Sequence, residues 1–86
     1  MEYKIEFTLA DSDEWLYTKD RCDFISEIQM EERVAYIIGT KLKNEGISGH
    51  AKKVKLYSEK EELIGESSDI SEIGSLKFYD KQILQL

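Results

Sequence analysis

Two periodicities divide the chain. From Glu2 to Leu9, Tyr3, Ile5, Phe7 and Leu9 alternate strictly with Glu2, Lys4, Glu6 and Thr8. A period of two places the first set on one face of a strand and the second on the other. From residue 26 to residue 45 the period changes. Ile28, Met30, Val34, Ala35, Ile37, Ile38 and Leu42 recur at helical spacing and share one half of a helical wheel. Glu32, Arg33, Tyr36, Gly39, Thr40 and Lys43 fill the other half. Ser26 followed by Gln29 has the form of a capping box, in which each side chain satisfies the other residue's free backbone N–H. Glu27 and Glu31 put negative charge near the positive end of the helix dipole, and Lys41 and Lys43 sit at its negative end. Gly46 can take the left-handed conformation that closes a helix.

The remaining elements are shorter. Residues 10–14 form a polar turn, and residues 15–18 (WLYT) read as the return strand of a hairpin or as a separate short helix. Residues 20–25 are ambiguous: Asp20 with Asp23 offers an earlier cap that would add Phe24 to the apolar stripe. After a tight loop at residues 46–50, Val54 and Leu56 alternate with Lys53, Lys55 and Tyr57 in a second clear strand. A turn at residues 58–62 leads to a short strand at 63–66. An irregular crossing follows at 67–74, with room for one helical turn from Asp69. Residues 76–79 make the last strand, and residues 81–86 either extend it or pack beside it.

These elements predict a single α+β domain over residues 1–86. One long helix lies on a sheet of four or five strands, mostly antiparallel and mixed. The expected core is Ile5, Phe7, Val34, Ile38, Leu42, Val54, Leu56 and Phe78. The element order ββαβββ resembles that of the β-grasp, or ubiquitin-like, arrangement; a split βαβ unit is the alternative topology.

Charge changes this picture more when it is split than when it is summed. Residues 1–32 carry ten acids and three bases, residues 33–60 two acids and seven bases, and residues 61–86 six acids and two bases, for the net −6 of the whole chain. The middle is basic and both ends are acidic, so the fold either pairs these segments or presents faces of opposite sign. Ten lysines against two arginines, with ten isoleucines, are a compositional habit of low-GC bacteria and their phages. There is no apolar run of about 18 residues and no charged-then-apolar leader. A cytoplasmic protein without a membrane segment is expected.

No motif specifies a chemistry. Cys22 is the only cysteine, which excludes an internal disulfide and a multi-cysteine metal site. His50, the only histidine, has Ser48 two residues before it but no orienting acid or second ligand at a recognised spacing. Gly46-Ile47-Ser48-Gly49 has the form of a nucleic-acid-clamping G-x-x-G loop with lysines around it. Such a loop joins two helices, whereas here a strand follows. A calcium loop starting at Asp11 would put Leu16 where glycine is required. Glu31 is the one charge inside the helix's apolar arc, and is expected to reach past the sheet edge to water. No catalytic residue, metal or cofactor is therefore expected, and the chain reads as a non-enzyme.

The stronger lead is the sheet face turned away from the helix. If Val54, Leu56, Leu76 and Phe78 point inward, alternation sends Lys53, Lys55, Tyr57, Lys77 and Tyr79 outward, with Glu2, Lys4, Glu6 and Thr8 beside them. Tyrosine is enriched at protein interfaces and also stacks on bases. The leading expectation is a small acidic protein-interaction domain, an inhibitor or adaptor of phage or mobile-element origin. Its partner would be held by Tyr57, Tyr79, Lys53, Lys55 and Lys77, with Asp11, Asp13 and Glu14 at the rim. The alternative is a nucleic-acid binder using the basic segment 41–57 and the same tyrosines. An acidic turn at residues 11–14 that occupies a basic groove as a DNA mimic, and a homo-oligomer, are further options.

Overall fold

A computed structural model describes residues 2–23, 26–70 and 74–79. The alternating segment forms β1 (Glu2–Leu9), and its apolar positions Tyr3, Ile5 and Phe7 are fully buried. It lies between β2 (Trp15–Arg21) and β3 (Ala51–Ser58), antiparallel to both. The flanking strands therefore run parallel to each other, and α1 (Glu27–Asn44) carries the chain from one to the other. This is a split βαβ unit with β1 inserted at its centre. β4 (Leu63–Ser67) and β5 (Lys77–Phe78) follow as antiparallel neighbours, giving the order β2-β1-β3-β4-β5. The α+β class and the element order are those expected. Every pairing among the described residues is antiparallel, in place of the mixed sheet expected.

The helix begins where its capping residues place it. The Ser26 hydroxyl accepts the Gln29 backbone N–H at 3.2 Å. At the other end Ile47 N–H reaches the Leu42 carbonyl at 2.9 Å, and Gly46 turns the chain at φ 67°. A side chain at that φ would be strained, which is why glycine stands there. Residues 15–18 belong to a strand, which removes the short-helix option. Phe24, residues 81–86 and most of the turn expected after Asp69 lie outside the described residues.

Met30, Val34, Ile38 and Leu42 form a strict four-residue row and are the buried residues of α1. A row at that spacing is a ridge that fits the apolar face of a sheet. They share one core with Tyr3, Ile5, Phe7, Ala51, Val54, Leu56, Ile64 and Leu76. The buried arc is narrower than the wheel suggested: Ile28 is 69% exposed, and Ala35 is exposed as well. Phe78 is only half-buried, at the edge of this core.

Two irregularities shape the sheet. Between Phe7 and Leu9 the register with β3 shifts, and Thr8, still opposite Trp15 as alternation expects, is buried with its hydroxyl accepting the Lys53 N–H at 3.3 Å. A second shift, opposite Leu56 and Tyr57, tucks Ile64 into the core. Gly65 allows β5 to close on β4: a Cβ there would sit 3.0 Å from the Lys77 carbonyl oxygen.

Candidate interaction surface

Strand register assembles the outer face from the residues upward. Pairing of Ile5 with Thr18 and Leu56, both helix-facing, leaves the alternate positions of β2, β1 and β3 on the opposite side. One cross-strand row contains Tyr17, Glu6, Lys55, Glu66 and Lys77, in that order across five strands. The charges in this row alternate in sign, so each lysine faces a carboxylate on its neighbouring strand. The next row holds Lys19, Lys4, Tyr57 and Leu63.

Lysines also cover two of the rings. The Lys4 ammonium lies 5.1 Å from the centre of the Tyr57 ring, and the Lys55 ammonium 4.8 Å from the Trp15 ring. Both are cation–π contacts, which hold ring and chain flat against the sheet. Lys4 also bonds Glu6 at 3.2 Å, and this carboxylate holds the Lys4 ammonium above its ordinary pKa. The Tyr79 hydroxyl bonds Glu66, which pushes its pKa up. Tyr79 and Tyr17 remain 57% and 62% exposed, the most open aromatics on this face.

Lys53, Lys55, Tyr57, Lys77 and Tyr79 thus share one surface, as their alternation implied. The hairpin tip joins it at one end. Asp11 and Asp13 line a cleft of ≈ 380 Å³ together with Lys52 and Lys53, and Lys53 also borders a second cleft of ≈ 260 Å³ against Trp15 and Lys55. Glu14 is exposed, with its N–H bonded to the Ser12 hydroxyl at 3.1 Å. Trp15 and Tyr17 were absent from the sequence-based set. Their signal was the alternation of Trp15, Tyr17, Lys19 and Arg21, visible once residues 15–21 are read as one strand.

The inner side carries a second polar cluster, under the helix rather than on the open face. Arg33 on α1 forks onto Asp20 with Nε–Oδ2 and Nη2–Oδ1 distances of 2.8 and 3.1 Å. The Tyr3 hydroxyl donates to the same carboxylate at 2.5 Å. Burial pushes the Asp20 carboxyl up, but the bonds from Arg33, Tyr3 and the Arg21 backbone outweigh it, so its pKa falls below the usual carboxylate value. Burial, followed by the bond to Asp20, raises the Tyr3 hydroxyl far above the ordinary tyrosine range. This cluster ties β1, β2 and α1 together, and on its solvent side Arg33 lines a cleft of ≈ 420 Å³ with Cys22, Asp23, Gln29 and Glu32.

The other sequence candidates are placed apart. Glu31 is half-buried and accepts the Gly74 N–H at 2.5 Å, so it fastens the loop before β5. His50 and Ser48 are exposed, and the His50 carbonyl accepts the Ala10 N–H at 3.1 Å. Among the described residues no helix is long and apolar enough to cross a membrane. No protein-family model, curated protein or solved structure matches this chain.

Proposed function

We propose that this chain is a small non-enzymatic interaction domain that docks the β3–β5 half of its outer sheet face on a protein partner. In this reading it acts in the cytoplasm, as an inhibitor or adaptor of bacterial or phage origin. The observation that carries the proposal is the outer face, covered by no described element, on which Tyr57, Leu63 and Tyr79 lie among Lys53, Lys55 and Lys77. Anchors at interfaces are large side chains that bury much area for little rotamer entropy, which points to the tyrosines. The lysines and Asp11, Asp13 and Glu14 steer the encounter.

One observation favours nucleic acid as the second reading. Lys4, Lys19, Arg21, Lys53, Lys55 and Lys77 outnumber Glu2, Glu6 and Glu66 on this face, although the chain as a whole is acidic. Two features weigh against it. Glu6 and Glu66 interrupt the lysines instead of leaving a continuous stripe for phosphates. Lys4 and Lys55 also occupy ring faces on which bases would stack.

The test is bait capture from the native host with four baits: wild type, Tyr57→Ala, Tyr79→Ala and the helix-face variant Tyr36→Ala. Each tyrosine variant on the sheet should weaken capture of a common partner by more than about 1 kcal/mol while Tyr36→Ala retains it. A partner kept by both sheet variants and lost by Tyr36→Ala places the interface on the helix and overturns the reading.

A further inference from the structure

The free edge of β2 has a feature that the proposed function does not use. Its outer-face residues run Trp15, Tyr17, Lys19, Arg21, with both aromatics in the first half and both cations in the second. Placed antiparallel to itself about Thr18, this strand sets Trp15 opposite Arg21 and Tyr17 opposite Lys19, twice over by symmetry. Cross-strand neighbours at about 4.5–5.5 Å bring each cation over a ring. Parallel self-pairing would instead stack cation on cation.

Beyond the charges of Lys19, Arg21 and the inward Asp20, the described edge has none of the other features that keep strands from pairing. β2 is seven residues long, holds no proline, and pairs with β1 without any shift of register from Trp15 to Arg21. Its neighbour on the other side is missing among the described residues. On the helix side the strand would bring Thr18 against Thr18 at the two-fold axis, a favourable cross-strand pair. Asp20 is held away from the axis by Arg33.

The geometry points to a second copy of this chain as the occupant of the β2 edge. The two copies form an isologous dimer with one continuous ten-stranded sheet. It joins two outer faces side by side and doubles the surface proposed above, without using Tyr57 or Tyr79. A contact between single edge strands is small, so the dimer is weak and depends on concentration.

Sedimentation velocity across a concentration series is the first measurement. Wild type should shift from monomer to dimer, and Lys19→Glu should raise the dissociation constant at least about tenfold, because two symmetry-related contacts are lost at once. Adding Tyr17→Lys to Lys19→Glu restores an opposite-charge pair in the same register and should recover the dimer. In a Cys22→Ser background, Thr18→Cys should form a disulfide-linked dimer on oxidation, since antiparallel partners lie within the Cα range of about 4.4–6.8 Å that a disulfide needs. Circular dichroism confirms that each variant is folded. A wild type that stays monomeric at every concentration overturns the proposal. So does a dimer that survives Lys19→Glu unchanged, or a folded Thr18→Cys variant that fails to cross-link.

Discussion

Arg33 and Asp20 face each other across the junction of α1 and β2 in a two-pronged ion pair, and Asp20 also receives the Tyr3 hydroxyl. The carboxylate is largely covered while the guanidinium is 38% exposed, so the pair keeps contact with water on one side. Replacing Asp20 by Ala would strip a buried tyrosine hydroxyl of its acceptor. The expected loss is about 1–3 kcal/mol, read from urea unfolding.

The same pair sets a pH dependence. Asp20 has a lowered pKa in the folded chain, so it binds a proton less readily there than in the unfolded chain. Its contribution is present above the unfolded value of about 3.9 and is lost as pH falls through the lower folded value. The stability gap between wild type and Asp20→Asn should be constant from pH 7 down to about 5 and close below about 4. A gap that persists to lower pH would mean that Asp20 carries no depressed titration.

Ile38 sits in the buried row of α1. Ile38→Ala should cost about 2–5 kcal/mol through lost burial and a residual cavity. Ile28→Ala, on the exposed side of the same helix, should cost well under about 1 kcal/mol. Equal costs in thermal melts would show that the helix presents another face to the sheet.

Glu61 holds φ 62° in the turn between β3 and β4, a conformation that disfavours residues with a Cβ. Glu61→Gly should therefore be neutral or raise stability by up to about 1 kcal/mol. Gly65→Ala should do the opposite, because its Cβ would meet the Lys77 backbone. Protection of the Tyr79 amide, which bonds the Ile64 carbonyl at 3.0 Å, reports the loss of β5 by hydrogen exchange.

No measurable binding to generic DNA or RNA is expected at physiological salt, because Glu6 and Glu66 break the lysine row. Fluorescence anisotropy with labelled single- and double-stranded probes checks this. Micromolar affinity that falls steeply between about 50 and 200 mM salt would instead identify a phosphate-tracking surface.

The strongly periodic segments were legible in the sequence for a physical reason: β1, β3 and α1 each bury a single face, which forces a regular pattern. β2 was legible only in its first half, residues 15–18, because it lies at the sheet border and its helix-facing positions Leu16, Thr18 and Asp20 grade from apolar to charged. Asp20 is tolerable there only because Arg33 and Tyr3 meet it, and those partners come from elements distant in sequence. Losing β2 as a complete strand also hid Trp15 and Tyr17. The tyrosine and lysine positions of the outer face followed from alternation alone. The lysines over the rings and the row of alternating charge depend on lateral register, which a single strand does not encode. Thr8 kept its place opposite Trp15, and its burial depends on the bulge in β3 that brings the Lys53 N–H onto its hydroxyl.

The central place of β1 sets an order of events during synthesis. β1 and β2 can pair as soon as both have left the ribosome, but the face bearing Tyr3, Ile5 and Phe7 is covered only after α1 and β3 have followed. Thirty-seven residues separate Arg21 from Ser58, which at about 5–20 residues per second is about 2–7 s of translation. For that interval a nascent hairpin carries an open apolar face. The seconds before β3 emerges are when this chain is most exposed to chaperone capture or to pairing with a neighbouring nascent copy.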